Sequence, residues 1–197
     1  MRDHILSMLL PPLLERLFAV APNLRLSTGI FDQNDSLQDL LNGRIDMALG
    51  HMDHQNTSLV IEKLYDEDYS LVSRKSGSEL PAELTLESYC RLKHLLISPN
   101  GSLTGIVDDA LREYGLKRRV SVSVPLFVPA LEVIAKTDLV AIIPAKMAKA
   151  FAPKFDLDVR SAPIPLQSYP VSATYHRRDE HNPIHRWFIN QVKSSLE

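Results

Sequence analysis

The fold is decided by the stretch His94-Leu95-Leu96-Ile97-Ser98-Pro99-Asn100-Gly101-Ser102-Leu103-Thr104. His94 to Ile97 is a short apolar run, the pattern of a buried strand. Ser98-Pro99-Asn100-Gly101 is a cluster of turn formers. A helical pattern follows from about Leu103 to Tyr114. Ser102 or Thr104 is expected to cap that helix, because either hydroxyl can accept from a free first-turn N–H. A strand that feeds a polar turn and a helix start gathers unpaired backbone donors in one place, which suits carboxylates, phosphates or other anions. In open α/β sheets this is also the strand end at which ligands sit. An ordinary βα connection has the same pattern, so the rest of the chain must decide.

Upstream, Pro11-Pro12 fit the first turn of a helix. Leu13, Leu14, Leu17, Phe18 and Ala21 then form its apolar stripe. Leu24 to Phe31 alternates like a strand. Ser36 to Asn42 reads as a short helix closed by Gly43, and Ile45 to Gly50 as a buried strand. Leu59–Leu64 and Tyr69–Ser73 are strand-like, split by Asp66-Glu67-Asp68, and Leu84 to Leu92 is a short helix. Downstream, Val120, Val122 and Val124 alternate with serines as a strand. Ala130–Lys136 is a helix and Leu139–Ile143 a fully buried strand. The segment from Val159 to Leu166 is extended, with Pro163 and Pro165 keeping it from a central sheet position. Val171–Tyr175 is a strand, and the last helix starts at Asn182-Pro183. Alternating strands and helices predict an α/β protein with parallel pairing. The acidic seam near Asp66–Tyr69 and the proline-rich stretch 163–170 are the expected domain crossings.

With 197 residues there is room for one large domain or two small ones. A formal net charge of -2 gives no overall basic field to hold a nucleic acid backbone. A lone cysteine, Cys90, rules out an internal disulfide framework and suits a reducing compartment. The apolar run Ile5–Leu10 is too short for a signal sequence and is stopped by Pro11-Pro12. No run reaches the roughly 18 apolar residues of a membrane span, so a cytoplasmic location is expected.

Chemistry-bearing motifs are sparse. There is no nucleophile elbow, dinucleotide fingerprint or phosphate-binding loop. Asp108 and Asp109 are consecutive on a helix, diverge by about 100°, and cannot act as a facing acid–base pair. Cys90 has no adjacent histidine to activate it. His51, Asp53 and His54 share a loop, but the spacing fits no zinc motif. His176, His181 and His185 surround a charged turn. Lys117-Arg118-Arg119 reads as a solvated basic loop. The expectation is a protein with no catalytic residues, no metal and no cofactor.

Several phrases taken together resemble one family. They are Leu9-Leu10-Pro11-Pro12-Leu13-Leu14 with Ala21-Pro22-Asn23-Leu24-Arg25-Leu26, and Leu41-Asn42-Gly43-Arg44-Ile45-Asp46-Met47-Ala48-Leu49-Gly50. To these are added Leu64-Tyr65-Asp66-Glu67-Asp68, Gly115-Leu116-Lys117-Arg118-Arg119-Val120, Thr137 through Pro144, and His185-Arg186-Trp187. In order and spacing they resemble the effector-binding domain of LysR-type transcriptional regulators, nearest the group concerned with aromatic compounds and nodulation. The resemblance implies a type 2 periplasmic-binding-protein-like fold, two Rossmann-like subdomains joined by two crossing strands. Residues 1–67 plus 168–197 would form subdomain I and residues 68–167 subdomain II. No winged helix-turn-helix stands in this sequence, so DNA would be read only through a domain outside it. The family's first strand, which precedes Asp3, is also not visible, and an unpaired edge is expected in subdomain I.

The same resemblance implies a small, aromatic organic acid as effector, bound in the cleft between subdomains, and a homodimer or homotetramer that rearranges on binding. The implied contacts are His4 and Ser7 beside Asp3, Gln33 and Asn34, then Ser98, Gly101, Ser102, Leu103 and Thr104, and finally Leu126 and Phe127. His94, at the mouth of its strand, is a further candidate, as a donor to an acidic effector. Aromatic-responsive relatives often carry histidine where this chain has Leu126, which implies a more apolar pocket. The alternative is a solute-binding protein of a transporter with the same fold. An α/β enzyme on a related scaffold would need an activated side chain in the cleft.

Overall fold

The computed structural model describes residues 3–30, 33–52, 56–76, 80–81 and 83–196; the side chains of Gln33 and Asn34 lie outside this set. The chain forms two compact units. Unit 1 is Met1–Asp66 with Tyr169–Glu197, and unit 2 is Glu67–Ser168.

Unit 1 opens with α1 (Asp3–Val20) and α2 (Gln33–Leu41), followed by β1 (Ala48–Gly50) and β2 (Leu59–Glu67), whose last residue already belongs to unit 2. Ile5, Leu9, Leu13 and Leu17 recur every fourth position, so they line one face of α1 and are buried. They pack with Leu49, Val171, Ala173 and Val192. Pro11 and Pro12 lie inside α1 rather than at its start. The helix therefore tolerates two missing N–H groups, and the carbonyls of Ser7 and Met8 lose their helical donors. Gly43 follows α2 with φ +68, a conformation costly for any residue with a Cβ, and a Cβ there would also meet Arg178 Nη2 at 2.6 Å.

The segment Leu24 to Ile30, expected as a strand, has no assigned ladder, and Leu26 and Ile30 are exposed. Alternation alone does not make a strand; it needs a neighbour to take up its hydrogen bonds.

Unit 2 holds β3 (Tyr69–Arg74), α3 (Leu86–Cys90), β4 (Lys93–Ile97), α4 (Ile106–Glu113), β5 (Val120–Val124), α5 (Phe127–Ala135), β6 (Leu139–Pro144), α6 (Ala145–Phe155) and β7 (Leu157–Ser161). The sheet order is β5-β4-β6-β3-β7. Central β6 is apolar and buried along most of its length, as a strand covered on both faces must be. Edge strand β7 precedes the prolines at 163 and 165.

The chain returns to unit 1 as β8 (Tyr169–His176) and ends in α7 (Pro183–Ser194). Strand β8 lies between β1 and β2. The pairing expected to be parallel is mixed. Strand β4 is parallel to β5 and β6, whereas β1–β8, β3–β6 and β3–β7 are antiparallel. Chain crossings between the units deliver β3 and β8 in reverse direction, a consequence that local periodicity does not carry.

Candidate functional site

Strands β4 and β5 are parallel neighbours with Ile97 opposite Val124. Their exits, residues 98–104 and 125–127, therefore leave the same edge of the unit 2 sheet. Two bonds tie these exits together: Ser98 N–H donates to Val124 O at 2.8 Å, and Ser123 Oγ donates to Ser102 O at 2.9 Å. Strand β6 is parallel to β4, so its exit lies on that edge too. There Lys146 N–H donates to Glu67 Oε1 at 3.0 Å and Ala145 N–H to Asp68 O at 2.9 Å. The acidic seam noted in sequence thus caps α6. Burial pushes the Glu67 carboxyl above its usual range.

The turn is largely bonded to itself. Ser102 N–H donates to Ser98 Oγ at 3.0 Å and to Asn100 Oδ1 at 3.2 Å. Thr104 N–H donates to Ser102 Oγ at 3.1 Å, and Gly101 N–H to Ser98 O at 3.1 Å. Gly101 sits at φ +73 in open space, the left-handed conformation that closes the turn. The helix begins later than the pattern from Leu103 suggests, and neither Ser102 nor Thr104 caps it. Gly105 holds the cap position, and its N–H donates to Asp108 Oδ2 at 2.9 Å. A carboxylate reaching back from the third helical residue replaces the expected hydroxyl.

That carboxylate is shared. Arg118 Nε donates to Asp108 Oδ1 at 3.0 Å and Arg118 Nη2 to Asp108 Oδ2 at 2.9 Å. Arg118 Nη1 reaches Tyr89 Oη at 3.3 Å. The Arg118 side chain is only 1% exposed. The basic loop read as solvated is therefore, at this residue, part of the interior of unit 2. Burial alone would raise the Asp108 carboxyl, but the Arg118 guanidinium outweighs it and holds it low. Tyr89 is pushed up to about 12, chiefly by burial.

His94 departs from the expected contact at a strand mouth. It is fully buried, with Nε2 bonded to Tyr89 O at 2.9 Å and its ring edge-on to Tyr89, centroids 4.6 Å apart. A carbonyl only accepts, so Nε2 carries the proton and Nδ1 is a bare acceptor without a partner among the described residues. Burial first, then the Arg118 charge, lowers its pKa to about 4. The imidazole is enclosed in unit 2 and held by Tyr89.

Of the remaining expected residues in unit 2, Ser98 is buried and Ser102 half-buried. Gly101, Leu103 and Thr104 are exposed. Leu126 precedes α5 and is exposed, and Phe127 opens that helix half-buried. In unit 1, His4 is buried in the first turn of α1, and Ser7 Oγ donates to Asp3 O at 2.8 Å. Gln33 and Asn34 open α2, with side chains outside the described residues. His54 and Asp53 also lie outside them. Sequence reasoning missed Asp108 and Arg118. The signal was the spacing Gly105-x-x-Asp108, a capping pattern, with an arginine two residues before the next strand.

Two units of mixed sheet and helix, linked by two chain crossings, with the main turn at the exits of parallel strands, define the class of two-subdomain type 2 periplasmic-binding-protein-like regulatory domains. A family model described as the LysR substrate binding domain matches residues 1–197, and the chain belongs to that family. It is 32% identical over 196 residues to the HTH-type transcriptional regulator SyrM of Rhizobium meliloti (strain 1021), covering 99% of this chain and 60% of that protein. Among solved structures it is similar to the probable transcriptional regulator PA0477 from Pseudomonas aeruginosa, with TM-score 0.85 and 31% identity, over 98% of this chain and 64% of that one. It also resembles the regulatory domain of MexT, a transcriptional activator in Pseudomonas aeruginosa, with TM-score 0.84 and 27% identity, over 98% of this chain and 94% of that one. The chain spans about three fifths of the length of the curated relatives it matches. Those relatives are named as regulators and activators of transcription, not as enzymes. Among the described residues, no helix is long and apolar enough to cross a membrane.

Proposed function

We propose that this chain is the ligand-sensing part of a transcriptional regulator and that it binds a small aromatic organic acid. The observation that carries the reading is the family match along the whole chain. The self-bonded turn 98–104 beside Leu126 and Phe127 supports it, because a ligand with a ring needs an apolar wall and a few placed polar groups. The contacts from unit 2 are Ser98, Gly101, Ser102, Leu103, Thr104, Leu126 and Phe127. Those from unit 1 are His4, Ser7, Gln33 and Asn34. The effector acts by binding one arrangement of a homodimer or homotetramer better than another. DNA is held by a winged helix-turn-helix domain outside this chain, and the protein works in the cytoplasm. A transporter's solute-binding protein would share the fold, but the relatives' names favour a regulator.

A thermal-shift screen with aromatic and aliphatic carboxylates tests the reading. A true effector at 100 times its Kd stabilises the fold by about 2.7 kcal/mol. If no acid in a broad panel moves the melting point, the small-acid reading fails.

A further inference from the structure

The first chain crossing ends on a buried carboxyl. Glu67 is the last residue of β2 and the first of unit 2. It is fully buried, which a glutamate rarely is without a full set of partners. One oxygen has such a partner: Oε1 accepts the Lys146 N–H at 3.0 Å, in the first turn of α6. The other oxygen differs: Oε2 is buried and has no hydrogen-bond partner among the described residues. The next residue fastens the same place, because Asp68 O accepts the Ala145 N–H at 2.9 Å. Two consecutive residues of the crossing thus hold the start of α6, the first of them through a group that can change its charge.

An ionised carboxylate taken out of water needs donors on both oxygens. The charged groups that bear on Glu67 are Lys146 on α6 and Asp68 beside it; β6, which leads into α6, carries none. Burial is the largest influence and raises the carboxyl. The Lys146 N–H and ammonium and the Asp68 N–H lower it, the Asp68 carboxylate raises it again, and the balance is upward. We propose that Glu67 is a proton-operated catch between the first crossing and α6: the neutral carboxyl stays seated, and its ionisation releases the first turn of the helix. The sign follows from where the proton is bound. Opening returns the carboxyl to water and to its ordinary value of 4.5. The closed form binds the proton more tightly, so opening is hardest at low pH and becomes easier as pH rises from 4.5 through the raised value. The crossing is therefore held to α6 more loosely in neutral solution than in acid, whatever ligand the chain senses.

The test is amide hydrogen exchange by NMR on the whole chain between pH 4.5 and pH 8, with the carbon-13 shift of the Glu67 carboxyl followed in the same samples. The protection factor of the Lys146 amide, corrected for the intrinsic effect of pH, is expected to fall at least about threefold over this range in the native chain. Amides of Val171 to Tyr175 in β8 report the rest of the fold and should not follow that fall. Glu67→Gln keeps the shape and cannot ionise, so its Lys146 protection should be flat. A fall of the same size in Glu67→Gln overturns the proposal, as does flat protection in the native chain. If Glu67→Gln does not fold, the native chain decides. A carboxyl shift and a Lys146 protection curve with one common midpoint above 4.5 support the catch, and separate midpoints, or a carboxyl that titrates at its ordinary value, overturn it.

Discussion

Arg118 and Asp108 meet side-on, with Nε–Oδ1 at 3.0 Å and Nη2–Oδ2 at 2.9 Å, and so join the loop before β5 to the first turn of α4. A planar fork matched to a carboxylate gives two parallel charge-assisted bonds. Removing one partner leaves the other charge buried and unpaired. Arg118→Met or Asp108→Ala is therefore expected to cost about 3–5 kcal/mol in urea unfolding. Arg119→Met, at an exposed neighbour, should stay within about 0.5 kcal/mol. Equal effects at 118 and 119 would show that the pair does not form.

His94 should make stability depend on pH. Its folded pKa, about 4, lies below the unfolded value near 6.5. Between these values the unfolded chain binds the extra proton, so stability is full above about pH 6.5 and falls as pH drops towards 4. The shift corresponds to roughly 3 kcal/mol. Urea midpoints between pH 7 and pH 4.5 should fall more steeply in the native chain than in His94→Gln. Parallel curves would mean that the imidazole is not enclosed.

The register of α1 can be checked with adjacent residues. Leu17 is fully buried and Phe18 is 50% exposed. Leu17→Ala should destabilise by about 2–5 kcal/mol through lost burial and a cavity. Phe18→Ala, on the other face, should cost much less. A reversed order would place the helix one residue out of register.

Gly101 tests the turn itself. A Cβ there meets nothing within 4 Å, so Gly101→Ala probes backbone conformation alone. At φ +73 the substitution should cost about 1–2 kcal/mol. No loss in melting temperature would mean that the turn is not held in the left-handed conformation.

Hydrogen exchange addresses the segment that alternates like a strand. The amides of Arg25 to Thr28, with no assigned ladder, should exchange rapidly, while those of Val171 to Tyr175 in β8 are protected. Protection of residues 25–28 in this chain would reveal a strand partner for them.

Much of the fold was legible because periodicity is a local property. The apolar stripe through Leu13 and Leu17, the buried run of β6 and the break at Ser98-Pro99-Asn100-Gly101 each specify an element before any contact is formed. The phrases spread along the chain then gave the family. The turn 98–104 and the loop 125–127 could be singled out, since both follow strands and end in helix starts.

Partners distant in sequence decided the rest. Strand direction depended on chain crossings, so the mixed pairing of β3 with β6 and β7 was not visible in any window. Leu24–Ile30 had the pattern of a strand without a ladder to join. Charge was the plainest case. Arg118 among its basic neighbours looks solvated, and only folding sets it against Asp108 and Tyr89, where burial makes pairing obligatory. The same contact gave the start of α4 its own carboxylate. The sequence by itself determined that an uncharged polar turn lies at the strand exit; the tertiary structure decided that the carboxylate of the helix after it is taken up by Arg118, because a buried guanidinium must be paired.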